Sequence, residues 1–286
     1  MINYGVILAG GMGTRLSPIT ESVSKHFLPL YDKPVIYYSI STLMLMKIKK
    51  ILIICNLKDL SIYKKLLGNG SMFGVQIKYK IQKKANGIPE AIPLSKNFVK
   101  SNSFVLILGD NFLYGNSLSK LLLERSSSFK KGCQIFTYNV SNPELYGILT
   151  QKKNHLSFIE KPINSKSNRA IIGLYFFDES AIDRYKTLTP SKRNETEILD
   201  LLESYNKSKE VSHYHFERGF TWFDTGSYDE LLEASNFVQI IEKRQNTKIS
   251  CLEEISYNNS WINMTKLKKV VNTKNSDYYA YLRKFL

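Results

Sequence analysis

The sequence predicts an α/β protein: a mostly parallel, doubly wound sheet in its first half, a second half richer in antiparallel pairing, and a helical tail. Three observations predict it. Short β-branched and aromatic runs alternate with helical stretches between residues 4 and 108, the pattern that builds parallel sheets. From residue 133 onward, strand candidates follow one another closely, which favours antiparallel neighbours. After Ser250 the chain is polar and helical in pieces.

Taken in order, residues 4–9, 51–55, 75–82 and 104–108 are strands, the third by its alternation. Helices fit 35–46, 58–67 and 90–98 between them. Later strands fit 133–140, 146–150, 156–159 and 171–177. Helices return over 195–206 and 228–244, each opened by a capping-box pattern, Asn194-x-x-Glu197 and Ser227-x-x-Glu230. With no internal repeat, low-complexity linker or Pro/Gly-rich boundary, the expected organisation is one body over 1–244 with a helical segment, 245–286, docked on it.

Composition narrows the function. A chain of 286 residues, 43% hydrophobic and 12% aromatic, has ample apolar surface for a large core, and no long disordered stretch is expected. The longest apolar runs, such as 35–46 and 104–108, contain polar residues or fall far short of the roughly 20 a bilayer span needs. Met1-Ile2-Asn3-Tyr4 lacks the basic start of a signal peptide, so a cytoplasmic protein without membrane partner is expected. Cys55, Cys133 and Cys251 are far apart and without paired spacing, which argues against disulfides and structural zinc. The net charge of +15 raises nucleic-acid binding, but the lysines recur in short groups along the whole chain, the distribution of a solvated basic surface, and no nucleic-acid partner is expected.

The chemistry gathers at strand ends. Leu8-Ala9-Gly10-Gly11-Met12-Gly13-Thr14-Arg15-Leu16 follows the first strand directly, where glycines let consecutive N–H groups face an anion. Leu16 stands where a dinucleotide fingerprint needs glycine, and the Gly-Lys-Ser/Thr of a Walker A loop is missing. Alone, such a loop is equally an ordinary tight turn. Lys25 adds a second cation close behind Arg15. Asp110, in Leu108-Gly109-Asp110-Asn111, closes the fourth strand at its C-terminal end, where ligands of open α/β sheets collect. Asp224 follows in Trp222-Phe223-Asp224-Thr225-Gly226. Each aspartate singly reads as a cap or turn former; the pair beside a phosphate loop suits magnesium, which is held by one or two carboxylates plus substrate phosphates. Ile159-Glu160-Lys161-Pro162 ends another strand with a charged pair, which is also what an exposed turn looks like. None of His26, His155, His213 and His215 accompanies a Gly-x-Ser-x-Gly elbow or a catalytic-looking cysteine, so covalent nucleophilic catalysis is not expected. A phosphate monoester, with a second pKa of about 6, is largely dianionic at neutral pH and needs no strong base to attack.

These residues carry a resemblance. The loop 10–16, the run Ser24-Lys25-His26-Phe27-Leu28-Pro29-Leu30-Tyr31-Asp32-Lys33-Pro34, and the segments around Asp110, Lys161 and Asp224 are similar to those of the sugar-nucleotide pyrophosphorylases, and within them to the glucose-1-phosphate thymidylyltransferase branch. The similarity spans almost the whole chain, including Tyr37-Tyr38, Leu67-Gly68-Asn69-Gly70-Ser71, Gly173-Leu174-Tyr175-Phe176 and Glu233-Ala234-Ser235-Asn236-Phe237. It implies a Rossmann-like nucleotidyltransferase fold with a mixed, mostly parallel central sheet, an antiparallel sugar-binding portion and C-terminal helices. The implied reaction joins dTTP to α-D-glucose 1-phosphate, giving dTDP-glucose and pyrophosphate.

The resemblance also implies roles. Gly10, Gly11, Gly13 and Arg15 hold the triphosphate, Lys25 faces its phosphates, and Asp110 and Asp224 bind Mg2+. Gln82 and Gly87 match base-reading positions, Lys161 the lysine on the sugar phosphate, and Tyr146, Gly147, Glu160, Gly173 and Tyr175 positions around the hexose; Leu8, Thr14 and Asn111 complete the substrate set. Arg15, Lys25, Asp110, Lys161 and Asp224 are thereby the catalytic candidates. Relatives are homotetramers of dTDP-rhamnose and O-antigen biosynthesis with a second, regulatory nucleotide site; Tyr114, Gly115, Arg218, Gly219, Ser250, Glu254 and Ile255 match its positions. Two departures stand out. After Asn86-Gly87, relatives usually read Leu-Ala-Gln-Ala and this chain reads Ile88-Pro89-Glu90-Ala91, which leaves UTP or another hexose phosphate open and predicts that Glu90 repels the nucleotide phosphates. Asn194 replaces a glycine, a change expected to be neutral if Asn194 is an N-cap. A noncatalytic, ligand-sensing relative is the remaining alternative, against which Arg15, Lys25, Asp110 and Asp224 all stand.

Overall fold

Parallel pairing begins at the N-terminus, where β1 (Tyr4–Ala9) lies between β4 (Lys50–Cys55) and β6 (Phe104–Leu108), and β4 pairs in turn with β5 (Gln76–Ile81). This is a computed structural model, and the structure describes residues 1–153, 155–191 and 194–286. Between β1 and β4 come a small hairpin, β2 (Pro29–Leu30) and β3 (Lys33–Pro34), and the helix Ile36–Leu45.

The apolar alternation of these strands feeds two cores. Ile7, Ile53 and Ile107 face one side, where Ile40 and Leu43 of the helix Ile36–Leu45 and Tyr63 and Leu67 of the helix Leu60–Leu67 cover them. Val6, Leu52 and Leu106 face the other, under Ile92 and Val99 of the helix Ala91–Val99 and Leu201 and Leu202 of the helix Ile198–Lys207. Burial on both faces is why these strands are almost continuously apolar.

Beyond β6 the sheet turns antiparallel, as expected for the second half. β11 (Arg169–Phe177) pairs antiparallel with β6, with β8 (Cys133–Asn139) and with β9 (Gly147–Lys152), and β9 with β10 (His155–Glu160). β12 (Val211–His215) adds a parallel edge to β8. A separate antiparallel ribbon, β7 (Asn111–Gly115) with β13 (Phe220–Asp224), pairs Asn111 with Asp224 at one end and Gly115 with Phe220 at the other. The central sheet is therefore mixed and mostly parallel in its first half.

Two expectations at helix starts part ways. Ser227 caps the helix Tyr228–Gln245: its hydroxyl oxygen accepts the Glu230 N–H, and its O–H donates to the Glu230 carboxylate at 2.9 Å. The box at Asn194 does not form. That helix starts at Ile198, its N-cap is Glu197, and Asn194 instead takes a left-handed conformation with φ +57°. Asparagine enters that region at small cost, which is also why glycine fits the position.

After Ser250 the helices Leu252–Asn258, Met264–Asn272 and Asp277–Leu282 build a small core from Cys251, Ile262, Leu267, Val271, Tyr278 and Leu282. Among the described residues no helix is long and apolar enough to cross a membrane.

Candidate active site

The glycine loop leaves β1 at Ala9 and closes in a short 3-10 turn, Thr14–Leu16. Gly13 has φ +66°, and its carbonyl accepts the Leu16 N–H (2.9 Å) and the Thr20 hydroxyl (2.8 Å). Close approach explains Gly10: a Cβ there would stand 2.0 Å from Gln82 Oε1, because the Gln82 amide lies across the loop. Arg15 crosses the site, its Nη2 3.8 Å from Asp224 Oδ2, with 59% of its side chain exposed to whatever enters.

The two aspartates meet because of the β7–β13 ribbon. Asp110 sits in the turn between β6 and β7, Asp224 ends β13, and the Thr225 N–H and hydroxyl donate to the Asp110 carbonyl at 3.2 and 2.9 Å. Lys25 Nζ bonds the Asp110 carboxylate. Burial would push that carboxyl up, but the Lys25 charge, with His26 and the hydrogen bonds from Lys25 and Asn111, outweighs it and holds the group down at about 2. For Lys25, burial works downward, and contact with Asp110 outweighs it and raises the ammonium above its ordinary value. Asp224 goes the other way: burial and then the Asp110 charge push it up to about 7. Burial and Lys25 together bring His26 down to about 3, so its imidazole is neutral.

Asn111 links this charged end to the cavity beyond. Its Nδ2 donates to Asp110 Oδ1 (3.1 Å), and its Oδ1 accepts the Gly173 N–H (3.0 Å) and the Trp222 indole N–H (2.7 Å). A side chain on Gly173 would meet that same Oδ1 at 2.8 Å. The cavity, of about 250 Å³, is lined by Arg15 and Asp224 together with Trp222, Glu160 and Lys161. Lys161 has φ +45°, and its N–H donates to the Tyr146 carbonyl at 3.0 Å, which fixes the backbone from which its side chain enters. Tyr146 donates its hydroxyl to Glu230 at 2.8 Å and meets the Trp222 ring edge-on.

Of the residues singled out in the sequence, Arg15, Gly87, Asn111, Tyr146, Gly147, Glu160, Lys161, Gly173, Tyr175 and Asp224 line this one cavity. Lys25 and Asp110 join it through Asp224 and Asn111, and Leu8 through its carbonyl, which accepts the Gly109 N–H at 2.9 Å. Thr14 opens the 3-10 turn that carries Arg15. Tyr114, Gly115, Arg218 and Gly219 lie at the far end of the ribbon, away from Asp110 and Asp224. Ser250, Glu254 and Ile255 belong to the segment after the long helix, where Ser250 accepts the Ser41 hydroxyl and Glu254 the Tyr281 hydroxyl.

Sequence reasoning missed Trp222, Glu195, Thr196 and Leu199 as cavity walls and Glu230 as the partner of Tyr146. Glu195 and Glu197 were absorbed into a capping pattern; the one signal available was that glycine also suits the position of Asn194. The partners of the Glu90 carboxylate were not legible either. It is engaged, accepting the Gln82 Nε2–H at 2.7 Å and the Asn86 N–H at 3.2 Å.

The donor set suits a hard cation. A buried carboxylate, Asp110, and a half-buried one, Asp224, share one site, and burial and then the Asp110 charge both disfavour the ionised form of Asp224. Among the described residues no cluster of three or more His, Cys, Asp or Glu forms a protein-only metal cage. Two carboxylates are the usual provision for magnesium that completes its shell with phosphate and water.

Comparison with known proteins agrees with this chemistry. Residues 4–240 match the family model described as Nucleotidyl transferase. A glucose-1-phosphate thymidylyltransferase of Neisseria meningitidis is 42% identical over 285 residues, covering 99% of both chains. One from Mycobacterium tuberculosis is 41% identical over 265 residues, 92% of this chain and 91% of its own. Among solved structures, a UDP-glucose pyrophosphorylase complexed with UDP-glucose superimposes with a TM-score of 0.72 at 25% identity, over 84% of this chain and 99% of its own. A Bacillus anthracis chain assigned as a glucose-1-phosphate thymidylyltransferase and crystallised with sucrose gives 0.75 at 33% identity, over 82% and 94%.

Proposed function

The chain belongs to the nucleotidyl transferase family, and from that premise we propose that it transfers a thymidylyl group from dTTP to α-D-glucose 1-phosphate, releasing pyrophosphate. One observation carries the reading: a single cavity is lined by Arg15 and Asp224 together with Glu160 and Lys161. That gathers cations for two phosphorylated substrates in one site.

The residues divide the work. Backbone N–H groups of the 10–13 loop, with Arg15 and Lys25, hold the triphosphate and stabilise the pyrophosphate as it leaves. Lys161 holds the sugar phosphate, whose dianionic oxygen attacks the α-phosphorus in line without a protein base. Glu160, Tyr146, Gly147, Gly173 and Tyr175 surround the hexose, while Gln82 and Gly87 face the base. Asp110 and Asp224 would hold Mg2+, which when bound supplies neutralisation of phosphate charge. Most of the rate gain in such a site comes from alignment and fixed charge. The test is a matrix of nucleoside triphosphates against sugar 1-phosphates, read as pyrophosphate release. The reading requires dTTP with glucose 1-phosphate to be the best pair; UTP or another hexose phosphate winning would reassign the substrates within the family.

The second nucleotide site belongs to the same proposal. What supports it is the grouping of Tyr114, Gly115, Arg218 and Gly219 at the ribbon end remote from the cavity, with Arg218 exposed. A homotetramer is supported by exposed apolar side chains, Leu232 and Ile240, on the helix Tyr228–Gln245. dTDP-rhamnose is the ligand to test there.

A further inference from the structure

Gln82 is nearly buried, at 5% exposure, and one end of its amide is fixed by a side-chain partner. Its Nε2 donates to Glu90 Oε2 at 2.7 Å, while its Oε1 lies over Gly10, where a Cβ would come within 2.0 Å of it. The orientation follows from the chemistry. A carboxylate only accepts, so turning the amide over would bring Oε1 against Glu90, oxygen to oxygen, and leave a buried donor unpaired.

Glu90 is itself held. It also accepts the Asn86 N–H at 3.2 Å, and the Asn86 carbonyl accepts the Thr196 N–H at 2.9 Å and hydroxyl at 3.0 Å. The carboxylate stands at the end of the 3-10 turn Ile88–Glu90, with Gly87 just before it, pressed so close to the Thr196 carbonyl that a Cβ would sit 2.0 Å away. The acceptor is therefore anchored on two segments of chain.

We propose that Glu90 is a specificity-determining positioning residue, which by locking the Gln82 amide in one orientation makes the site accept the imide edge of thymine or uracil and reject cytosine. This rests on the reading of Gln82 as the base-facing residue. A free glutamine amide can turn over and read either pyrimidine. With Nε2 committed to the Glu90 side, Oε1 is presented as an acceptor and the second Nε2 hydrogen as a donor. That pair complements the N3–H and the C4 carbonyl oxygen of thymine or uracil. Cytosine has N3 as an acceptor beside an amino donor, so it opposes like with like at both points, and unpaired polar groups of this kind discriminate strongly.

The test compares the affinities of dTTP and dCTP by calorimetry, and pyrophosphate release with glucose 1-phosphate, for wild type, Glu90→Ala, the isosteric Glu90→Gln, Gln82→Ala and the Glu90→Ala/Gln82→Ala double variant. Thermal unfolding verifies that each variant is folded. Wild type should prefer dTTP, and Glu90→Ala should lower that preference about 10-fold or more, with KM for dTTP rising and kcat little changed, while Glu90→Gln, whose amide oxygen still accepts from Gln82, should keep most of it. In the Gln82→Ala background, Glu90→Ala should add nothing. A wild type that does not discriminate, an unchanged preference in Glu90→Ala, or an equal loss with and without Gln82 overturns the proposal. Absence of pyrophosphate release from wild type would instead sink the transfer reading, while the affinity ratios still decide the role of Glu90.

Discussion

Asp224 faces Asp110 across the end of the β7–β13 ribbon, and burial together with that neighbouring charge pushes its carboxyl up to about 7. The ordinary value is 3.8, so between those limits the folded chain binds a proton that the unfolded chain releases. By linkage, this stabilisation is complete below 3.8 and disappears as pH rises through about 7. Asp110, held at about 2, acts oppositely and only in acid: its contribution is present above 3.8 and is lost as pH falls toward 2.

The first prediction follows for protein kept in a chelator. Asp224→Asn removes the raised group, so the Tm difference, variant minus wild type, should grow by a few degrees between pH 5 and pH 8, as expected for an effect on the order of 1 kcal/mol. A difference that stays flat across that range would mean Asp224 titrates normally. Thermal scans at four or five pH values suffice.

The same two residues are the proposed magnesium ligands. Asp110→Asn and Asp224→Asn should each lower activity by roughly 10²-fold or more, comparable to losing one electrostatic stabiliser. A titration of activity against Mg2+ checks the assignment, since a lost ligand should also move the half-saturating concentration upward. Near-wild-type turnover and magnesium dependence in either variant removes that residue from the site.

Lys161 and Arg15 both line the cavity and are assigned to different substrates, which predicts separable kinetics. Lys161→Ala should mainly impair use of glucose 1-phosphate, and Arg15→Ala should mainly impair use of dTTP. Steady-state measurements varying each substrate in turn decide it. The division fails if both variants affect both substrates alike.

Much of this was legible locally and little of it was legible as pairing. The glycine loop, Asp110, Lys161 and Asp224 could be read because each terminates an apolar run. What brings them together could not, because the partner strand of β13 is β7, five residues whose periodicity is masked by the turn before it. β12 went unread since Val211-Ser212-His213-Tyr214-His215 is too polar to resemble a strand, and only its seat against β8 orders it. Trp222 was visible as part of a motif, but its indole bond to Asn111 joins residues 111 positions apart. The partners of Glu90 were hidden for a related reason: the sequence places a carboxylate beside a nucleotide, while the fold supplies the donors of Gln82 and Asn86 that it accepts.

For the second site, Arg218 is exposed at the ribbon end opposite the aspartates. Inhibition by dTDP-rhamnose should weaken at least several-fold in Arg218→Ala with the uninhibited kcat and KM unchanged, and sedimentation should give a tetramer for both proteins. A monomer in sedimentation, or purely competitive inhibition insensitive to Arg218→Ala, would rule this part out.

Asn194 offers the sharpest contrast between two accounts of one residue. As an N-cap, it would be replaceable by serine at little cost and by alanine at about 1 kcal/mol. The fold shows it left-handed at φ +57°, three residues before the cap Glu197, with its N–H donating to the Ser191 carbonyl at 2.9 Å. There glycine is the benign replacement, and serine or alanine carries the penalty of a Cβ in that region, about 1 kcal/mol. Urea unfolding should therefore find Asn194→Gly at or near wild-type stability and Asn194→Ser and Asn194→Ala both destabilised. Glu195, Thr196 and Glu197 follow directly and line the cavity, so the destabilised variants should also raise KM for the sugar phosphate while Asn194→Gly leaves it unchanged. Serine matching asparagine in both measurements would return the residue to its capping role.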